Sequence, residues 1–282
     1  MFLQGWSLRK GGFPALALAC AACTPQTGVH TQAAALSASG PWWRQSGDGL
    51  LDEMIAQALA AMPPVCSPAP HGIRGGIRSV LHHQSAEKRH AQAAERAAQR
   101  LQKAEAVAQA YLRLRSWQER LAARHAMLAP WADNAEIAHF RREAGLVPAL
   151  DEDMASVMVG LNSVDEDGAR AGLERALGDL ARLTGQDAAS LRARLDKTSP
   201  MPLGNGPAAR ADADALLARA EAAAANARFA YRGGAAGYAT LYVAEANALA
   251  AREAQIMIRH DAALATIRQW SETGRGEEAT CG

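Results

Sequence analysis

The chain has 282 residues, of which 49% are apolar and 5% aromatic, and 30 basic against 29 acidic residues give a formal net charge of +1. Charges of both signs are mixed along the chain, which argues against the basic surface needed for nucleic-acid binding. Alanine dominates and aromatic residues are scarce, which favours long helices packed through small side chains. No uncharged apolar run of eighteen residues follows the N-terminus, so we expect no internal transmembrane helix.

Residues 1–23 have the pattern of a secretory signal peptide, with two basic residues before a short apolar segment and small residues at its end. The segment resembles a bacterial lipoprotein signal in which Cys23 becomes the lipidated first residue. Cys20 offers a second acceptor. Export would permit a disulfide between Cys66 and Cys281, and free thiols fit the sequence equally well.

The polar, unpatterned segment 24–40 predicts a flexible tether. Residues 41–64 predict an N-terminal amphipathic helix that Asp48 can cap. The tryptophan pair Trp42–Trp43 opens this segment, and we favour packing against the rest of the protein over insertion into a membrane interface. Residues 65–84 are rich in Pro and Gly and are interpreted as an irregular linker.

A long helix is expected from about Ser85 to Leu128, followed by a kink or break at Pro130 and a shorter helix toward Arg142. The remaining helical segments group into two units with short connections. The predicted boundaries are a first helical hairpin repeat at 85–195, a loop at 196–208, a second helical hairpin repeat at 209–271 and a disordered tail at 272–282.

The predicted fold class is all-α, with long antiparallel coiled-coil helical hairpins in two pseudo-repeats and little or no β-sheet, because no stretch alternates with period two. The last helix carries two neighbouring apolar lines at heptad spacing. These are Tyr242, Leu249, Ile256, Ala263 and Trp270, and beside them Val243, Ala250, Met257 and Leu264. Such a stripe is typical of a coiled-coil seam, and an amphipathic helix on a globular core explains it equally well.

Glycine interrupts the helical pattern twice in a similar way, in FRREAGLVPALD at 140–151 and in FAYRGGAAGYATLYVAEANALA at 229–250. Gly145 and Gly234 are 89 residues apart, and REAGLVPALD then aligns with YRGGAAGYAT. Each unit reads as helix, small-residue turn, helix, with glycine supplying the backbone angles of a tight turn. Chance similarity in an alanine- and glycine-rich sequence is the alternative.

Four segments, in order, resemble the periplasmic helical part of the TolC-like outer-membrane efflux factors. They are the start ending CAACTP, then PWWRQSGDGLLDEMIAQALAAMP, then AVAQAYLRLRSWQERLAARHAML through RREAGLVPALD to GDLARLTGQ, and last YRGGAAGYATLYVAEANALAAREAQ. In that family two repeats each supply β-hairpins to a trimeric barrel and long helices to a periplasmic tunnel. This sequence has no matching segment at either place where a β-hairpin is expected, so the resemblance implies a shortened member without the β-hairpins.

The resemblance implies that the two glycine turns are tips that meet the hairpin of an adaptor protein. The implied tip residues are Gly145, Leu146, Val147, Gly234, Ala235, Ala236 and Gly237. Asp151 matches the family's acidic position near the closed aperture. In the second copy Ala239 and Thr240 replace the usual leucine–aspartate pair, which puts an aperture charge there in doubt.

The expected function is that of a truncated TolC-like efflux component in a tripartite system. The implied partners are a periplasmic adaptor, an inner-membrane pump, the outer membrane through a lipid anchor on its periplasmic face, and further copies in a trimer, without nucleic acid. A periplasmic scaffold lipoprotein with no transport role is the alternative. Known catalytic motifs are absent from the sequence, and we expect no enzyme activity, no cofactor and no metal site. The histidines 82, 83 and 90 fit an exposed helix start better than a metal site.

Overall fold

A computed structural model describes residues 41–66, 79–196 and 207–273. The predicted signal peptide, the tether, Cys20, Cys23 and Cys281 lie outside the described residues, as do most of the 196–208 loop and of the tail. Cys66 is disulfide-bonded, which excludes the free-thiol alternative for this residue.

The described residues form helices and connecting turns, with no strand among them, so the all-α prediction is confirmed. A short 3₁₀ helix at Trp42–Ser46 precedes six α-helices. These are α1 (Gly49–Ala60), α2 (Ser79–Glu143), α3 (Ala149–Thr184), α4 (Ala188–Leu195), α5 (Pro207–Arg232) and α6 (Tyr238–Thr273). Of the helices described, none combines the length and the apolar character needed to cross a membrane.

Helix α1 begins as the sequence predicts. The Asp48 side chain accepts hydrogen bonds from the backbone N–H groups of Leu50 and Leu51 at 3.0 and 3.2 Å, which satisfies two free donors of the first turn. Its other carboxylate oxygen accepts from the Tyr111 hydroxyl of α2 at 2.6 Å, which ties the start of α1 to the long helix. Burial raises the pKa of Tyr111, and the hydrogen bond to this carboxylate raises it further.

The tryptophan pair packs against the protein, as favoured above. Trp42 is fully buried and Trp43 nearly so, and their rings meet edge to face at 5.6 Å. Both join the main core, which α1, α2, α3, α4 and α6 all enter. Aromatic rings in this arrangement add stabilisation beyond the burial of their surface.

The break expected at Pro130 is wrong, because α2 continues through this residue. The whole helix has 65 residues and is about 98 Å long at the usual rise per residue. Proline removes one backbone hydrogen bond and crowds the preceding turn. Tertiary contacts offset that cost, since Trp131 and Asn134, which follow directly, are each only 2% exposed.

The long helices lie side by side in the order α3, α2, α6, α5. Helices α2 and α3 form one antiparallel hairpin, α5 and α6 form the other, and α2 joins α6 between them. At that junction the Arg124 guanidinium bonds Glu253 of α6 at 2.7 Å and Asp165 of α3 at 2.9 Å. A second ion pair joins Arg259 of α6 to Glu119 of α2.

Each hairpin keeps one antiparallel register. In the first, His139 pairs with Glu152 and His125 with Glu166, two heptads apart on both helices. In the second, Arg228 pairs with Glu245 and Arg252 with Glu221, one heptad apart on both.

The heptad lines of α6 have different surroundings. Ile256 and Ala263 of the first line are buried, and the other members of that line are half-buried. Val243 and Met257 of the second line are 55% and 52% exposed. The seam interpretation therefore holds for the first line, and most of the second line faces outward.

Gly172 marks a close approach within the first hairpin. A Cβ atom added there would lie 2.8 Å from the ring carbons of Trp117 on α2. The missing side chain lets the indole lie flat against α3, whereas the exposed Gly178 six residues later has nothing within 4 Å of its added Cβ.

Candidate docking site at the hairpin tips

The two predicted turns are equivalent in geometry. Gly145 and Gly234 adopt left-handed backbone angles, with φ of +67° and +75°. Each turn closes α2 or α5 with the paired hydrogen bonds of a Schellman motif. In the first turn these are Leu146 N–H to Arg141 C=O at 2.8 Å and Gly145 N–H to Arg142 C=O at 2.9 Å; in the second, Ala235 N–H to Ala230 C=O at 2.8 Å and Gly234 N–H to Tyr231 C=O at 3.0 Å.

Both bonds of the first turn recur in the second at the same 89-residue separation. The structure brings the seven predicted tip residues together in two turns at one end of the helix layer. Leu146 is 73% exposed, Ala235 is exposed, and Val147 and Ala236 are half-buried. Their binding of an adaptor stays a prediction.

The two tips contact one another. Arg141 of α2 donates a hydrogen bond to the backbone carbonyl of Arg232 at 3.1 Å. Its guanidinium also lies 4.6 Å from the centre of the Tyr231 ring on α5, within range of a cation–π interaction. These contacts fix the position of one turn relative to the other.

Asp151 also takes part in this contact. Its half-buried carboxylate faces the start of α6, with Oδ2 at 3.5 Å from the Tyr238 backbone N–H. A carboxylate there interacts favourably with the helix dipole. The predicted aperture charge therefore lies between the tips.

A small apolar group, here called the end cluster, packs beneath both tips. Tyr231 and Tyr238 meet edge to face at 6.0 Å, and the cluster also contains Ala138, Ala155, Ala227 and Leu241. Burial, followed by the charge of Glu245, raises the pKa of Tyr238 to about 12, so its hydroxyl stays protonated near neutral pH.

A polar network adjoins the end cluster and joins three helices. Glu245 of α6 is 1% exposed, and it accepts from Asn134 of α2 at 3.2 and 3.3 Å and from Arg228 of α5 at 2.7 Å. A buried carboxylate is tolerated because these donors replace the water that it loses. Sequence reasoning missed this network; the available signal was a glutamate inside an apolar helix segment.

A histidine lies on the outer side of the first tip. His139 Nδ1 contacts Glu152 of α3 at 2.7 Å, and Arg142 contacts the other oxygen of the same carboxylate at 2.7 Å. The hydrogen bond to Glu152, followed by the charge of Glu143, raises the pKa of His139. The same hydrogen bond lowers the pKa of Glu152. Both shifts favour the charged forms, so the two side chains form an ion pair.

Within the described ranges no group of three His, Cys, Asp or Glu side chains is arranged to hold a metal ion. What the turns present is a surface of exposed backbone, small side chains and a few large apolar ones, which suits contact with another protein.

Comparison with solved structures finds chains with the same architecture. The outer-membrane channel OprN matches with a TM-score of 0.65 at 15% identity, over 83% of this chain and 92% of that one. The outer membrane protein VceC of the bacterial pathogen Vibrio cholerae matches with a TM-score of 0.63 at 15% identity, over 82% of this chain and 98% of that one. No protein-family model and no curated protein matches the sequence.

These matches cover most of the chain, so they include both hairpins. At this identity they establish a shared fold. The resemblance to TolC-like channel proteins that the sequence indicated is therefore confirmed at the level of the fold.

Proposed function

We propose that the chain is a TolC-like efflux component whose hairpin tips dock the helical hairpin of a periplasmic adaptor protein, and through it an inner-membrane pump. One observation carries the proposal: two equivalent Schellman turns lie in contact at one end of a four-helix layer. The shared fold with outer-membrane channels supports the transport setting.

A groove next to the tips supports the proposal that the partner is helical. It lies between α5 and α6, has a volume of about 1150 Å³, and is lined largely by small residues. These include Ala220, Ala223, Ala239, Val243 and Ala250. Small side chains let the backbone of a second helix approach closely, which supports a helical partner at this end of the layer.

The outer edges of the layer support self-association in the same proposal. Helix α3 exposes an apolar line of Leu150, Val157, Leu161 and Val164, between 53% and 66% exposed. Helix α5, the opposite edge, exposes Leu216. Contact of the α3 edge of one copy with the α5 edge of the next is heterologous, and such contacts form a ring when the rotation between copies closes. A trimer is the proposed state.

We further propose export and attachment to the periplasmic face of the outer membrane through Cys23, with Cys20 as the second acceptor. The disulfide at Cys66 supports an oxidising compartment. Mass spectrometry of the mature N-terminus tests the anchor: an unmodified first residue other than these two cysteines contradicts it.

Binding to the purified cognate adaptor tests the docking proposal. Leu146→Glu and Ala235→Glu each place a charge on an exposed tip residue without altering the left-handed glycine, and Ala98→Glu places the same charge on an exposed position of α2 far from the tips. We expect both tip variants to weaken binding and the α2 variant to bind as the wild type does. Equal binding by all three variants rejects the tips as the docking site. No binding by the wild-type chain favours the alternative, a helical scaffold lipoprotein with no transport role.

A further inference from the structure

Phenylalanine has an unusual distribution in this chain. The sequence contains four, and only Phe140 and Phe229 lie beyond residue 13. They are 89 residues apart, the separation that relates the two turns, and each lies five residues before the left-handed glycine of its own tip. Both hairpins therefore carry a phenylalanine at the same structural position.

Both rings face solvent. Phe140 is 57% exposed and Phe229 is 83% exposed. In the part of the chain that the structure describes, every other Phe, Tyr or Trp is buried or half-buried. A protein with so few aromatic residues thus exposes two of them at equivalent places, although burying them would be favourable.

Neither ring belongs to a buried core cluster of the described residues. The ring contact of Phe140 is with the adjacent His139, at 5.8 Å between centroids. No ring contact involves Phe229 within the described ranges, and its carbonyl accepts the Gly233 N–H, which any residue in that position would do. Phenylalanine is among the aromatic residues that are enriched at protein interfaces relative to the rest of the surface.

The surroundings indicate the chemistry of the partner. Close to Phe229 in sequence, the second tip exposes Arg232 and Ala235. The small side chain of Ala235 leaves room for the backbone of a partner to approach the positive charge of Arg232. The first tip exposes Leu146 and carries the ion pair of Arg142 with Glu152. Mixed charge at the first tip favours a protein over an anionic membrane surface, which would require a uniformly basic one.

We propose that Phe140 and Phe229 are paired anchors for one elongated helical partner, whose apolar stripe covers both rings and whose carboxylates face Arg232. This inference rests on the proposed function, since it takes the tips to be a docking surface, and it adds which side chains hold the partner. The contact between the tips through Arg141 fixes the spacing of the two hairpins.

The test measures the Kd of the purified adaptor for the full chain by surface plasmon resonance. The variants are Phe140→Ala, Phe229→Ala and the double variant, and Met257→Ala is the control for loss of an exposed apolar side chain on α6 outside the tips. Truncating an interface anchor costs roughly tenfold or more in affinity, so we expect about a tenfold rise in Kd for each single variant and more for the double variant. Circular dichroism melting verifies folding, and Phe→Leu at either position should recover part of the affinity.

The outcomes separate the two proposals. Adaptor binding by the wild type with unchanged Kd in all three phenylalanine variants overturns the anchors and leaves the proposed function in place. No adaptor binding by the wild type overturns both. A parallel arm uses vesicles of 70% phosphatidylcholine and 30% phosphatidylglycerol; vesicle binding that the double variant loses, with adaptor affinity unchanged, assigns the rings to a membrane and overturns the protein partner.

Discussion

Replacing Gly234 by alanine tests the turn geometry on which the tip depends. The residue has φ of +75°, and a Cβ added there meets nothing within 4 Å, so the cost is backbone strain without a clash. A left-handed non-glycine residue costs about 1–2 kcal/mol, and the reduced entropy of the unfolded chain returns about 0.4–1 kcal/mol. The expected net loss of unfolding free energy is therefore about 1 kcal/mol.

Urea denaturation followed by circular dichroism measures this loss. The double variant of Gly145 and Gly234 should lose about 2 kcal/mol and melt several degrees lower, and Gly234→Asn should lose less because asparagine tolerates the left-handed region. Gly178→Ala is the matched control: it lies in an exposed helix interior, and there alanine should gain up to about 1 kcal/mol. A Gly234→Ala protein as stable as the wild type refutes the left-handed requirement.

Three further predictions use the same unfolding assay. Gly172→Ala places a Cβ 2.8 Å from the indole ring described above. Overpacking of about 1–3 kcal/mol should outweigh the gain in helix propensity, so we expect a loss of stability where Gly178→Ala gives a gain. A more stable Gly172→Ala protein would show that the indole moves freely. Glu245→Ala leaves two donors, on Asn134 and Arg228, without their buried acceptor. We expect a loss of about 2 kcal/mol in the free energy of unfolding, which is below the value for fully buried pairs because Arg228 is one-third exposed. Glu245→Gln should lose less. The raised pKa of His139 predicts a stabilising contribution that is complete below about pH 6.5 and is lost as the pH rises through the raised pKa. The lowered pKa of Glu152 predicts a stabilising contribution that is lost only at acid pH. If the pH dependence of stability were unchanged in His139→Gln, the ion pair would be contradicted.

The local features of the tips were predictable from sequence because each depends on a few adjacent residues. Glycine at 145 and 234 ends a helix by adopting an angle that other residues resist, and the hydrogen bonds that follow span only six residues. The cap at Asp48 is equally local. Such preferences act in any tertiary context, so composition, heptad spacing and turn signals sufficed for the all-helical class.

Pro130 shows where local reasoning ends. Its effect on an isolated helix is unfavourable, and packing of the residues after it keeps α2 continuous. The end cluster is a similar case. Tyr231 and Tyr238 flank the second turn in sequence, and only the docking of the two hairpins buries them against Ala138.

The sequence by itself determined that the chain is helical, that it turns twice in the same way 89 residues apart, and that glycine sets both turns. Tertiary structure decided which helices are neighbours, that Arg141 reaches across to the second tip, and that Glu245 is buried between three helices while Phe140 and Phe229 stay in water. The physical reason is range: a turn is decided by the angles of a few residues, whereas a neighbour is decided by the register and packing of helices far apart in the chain.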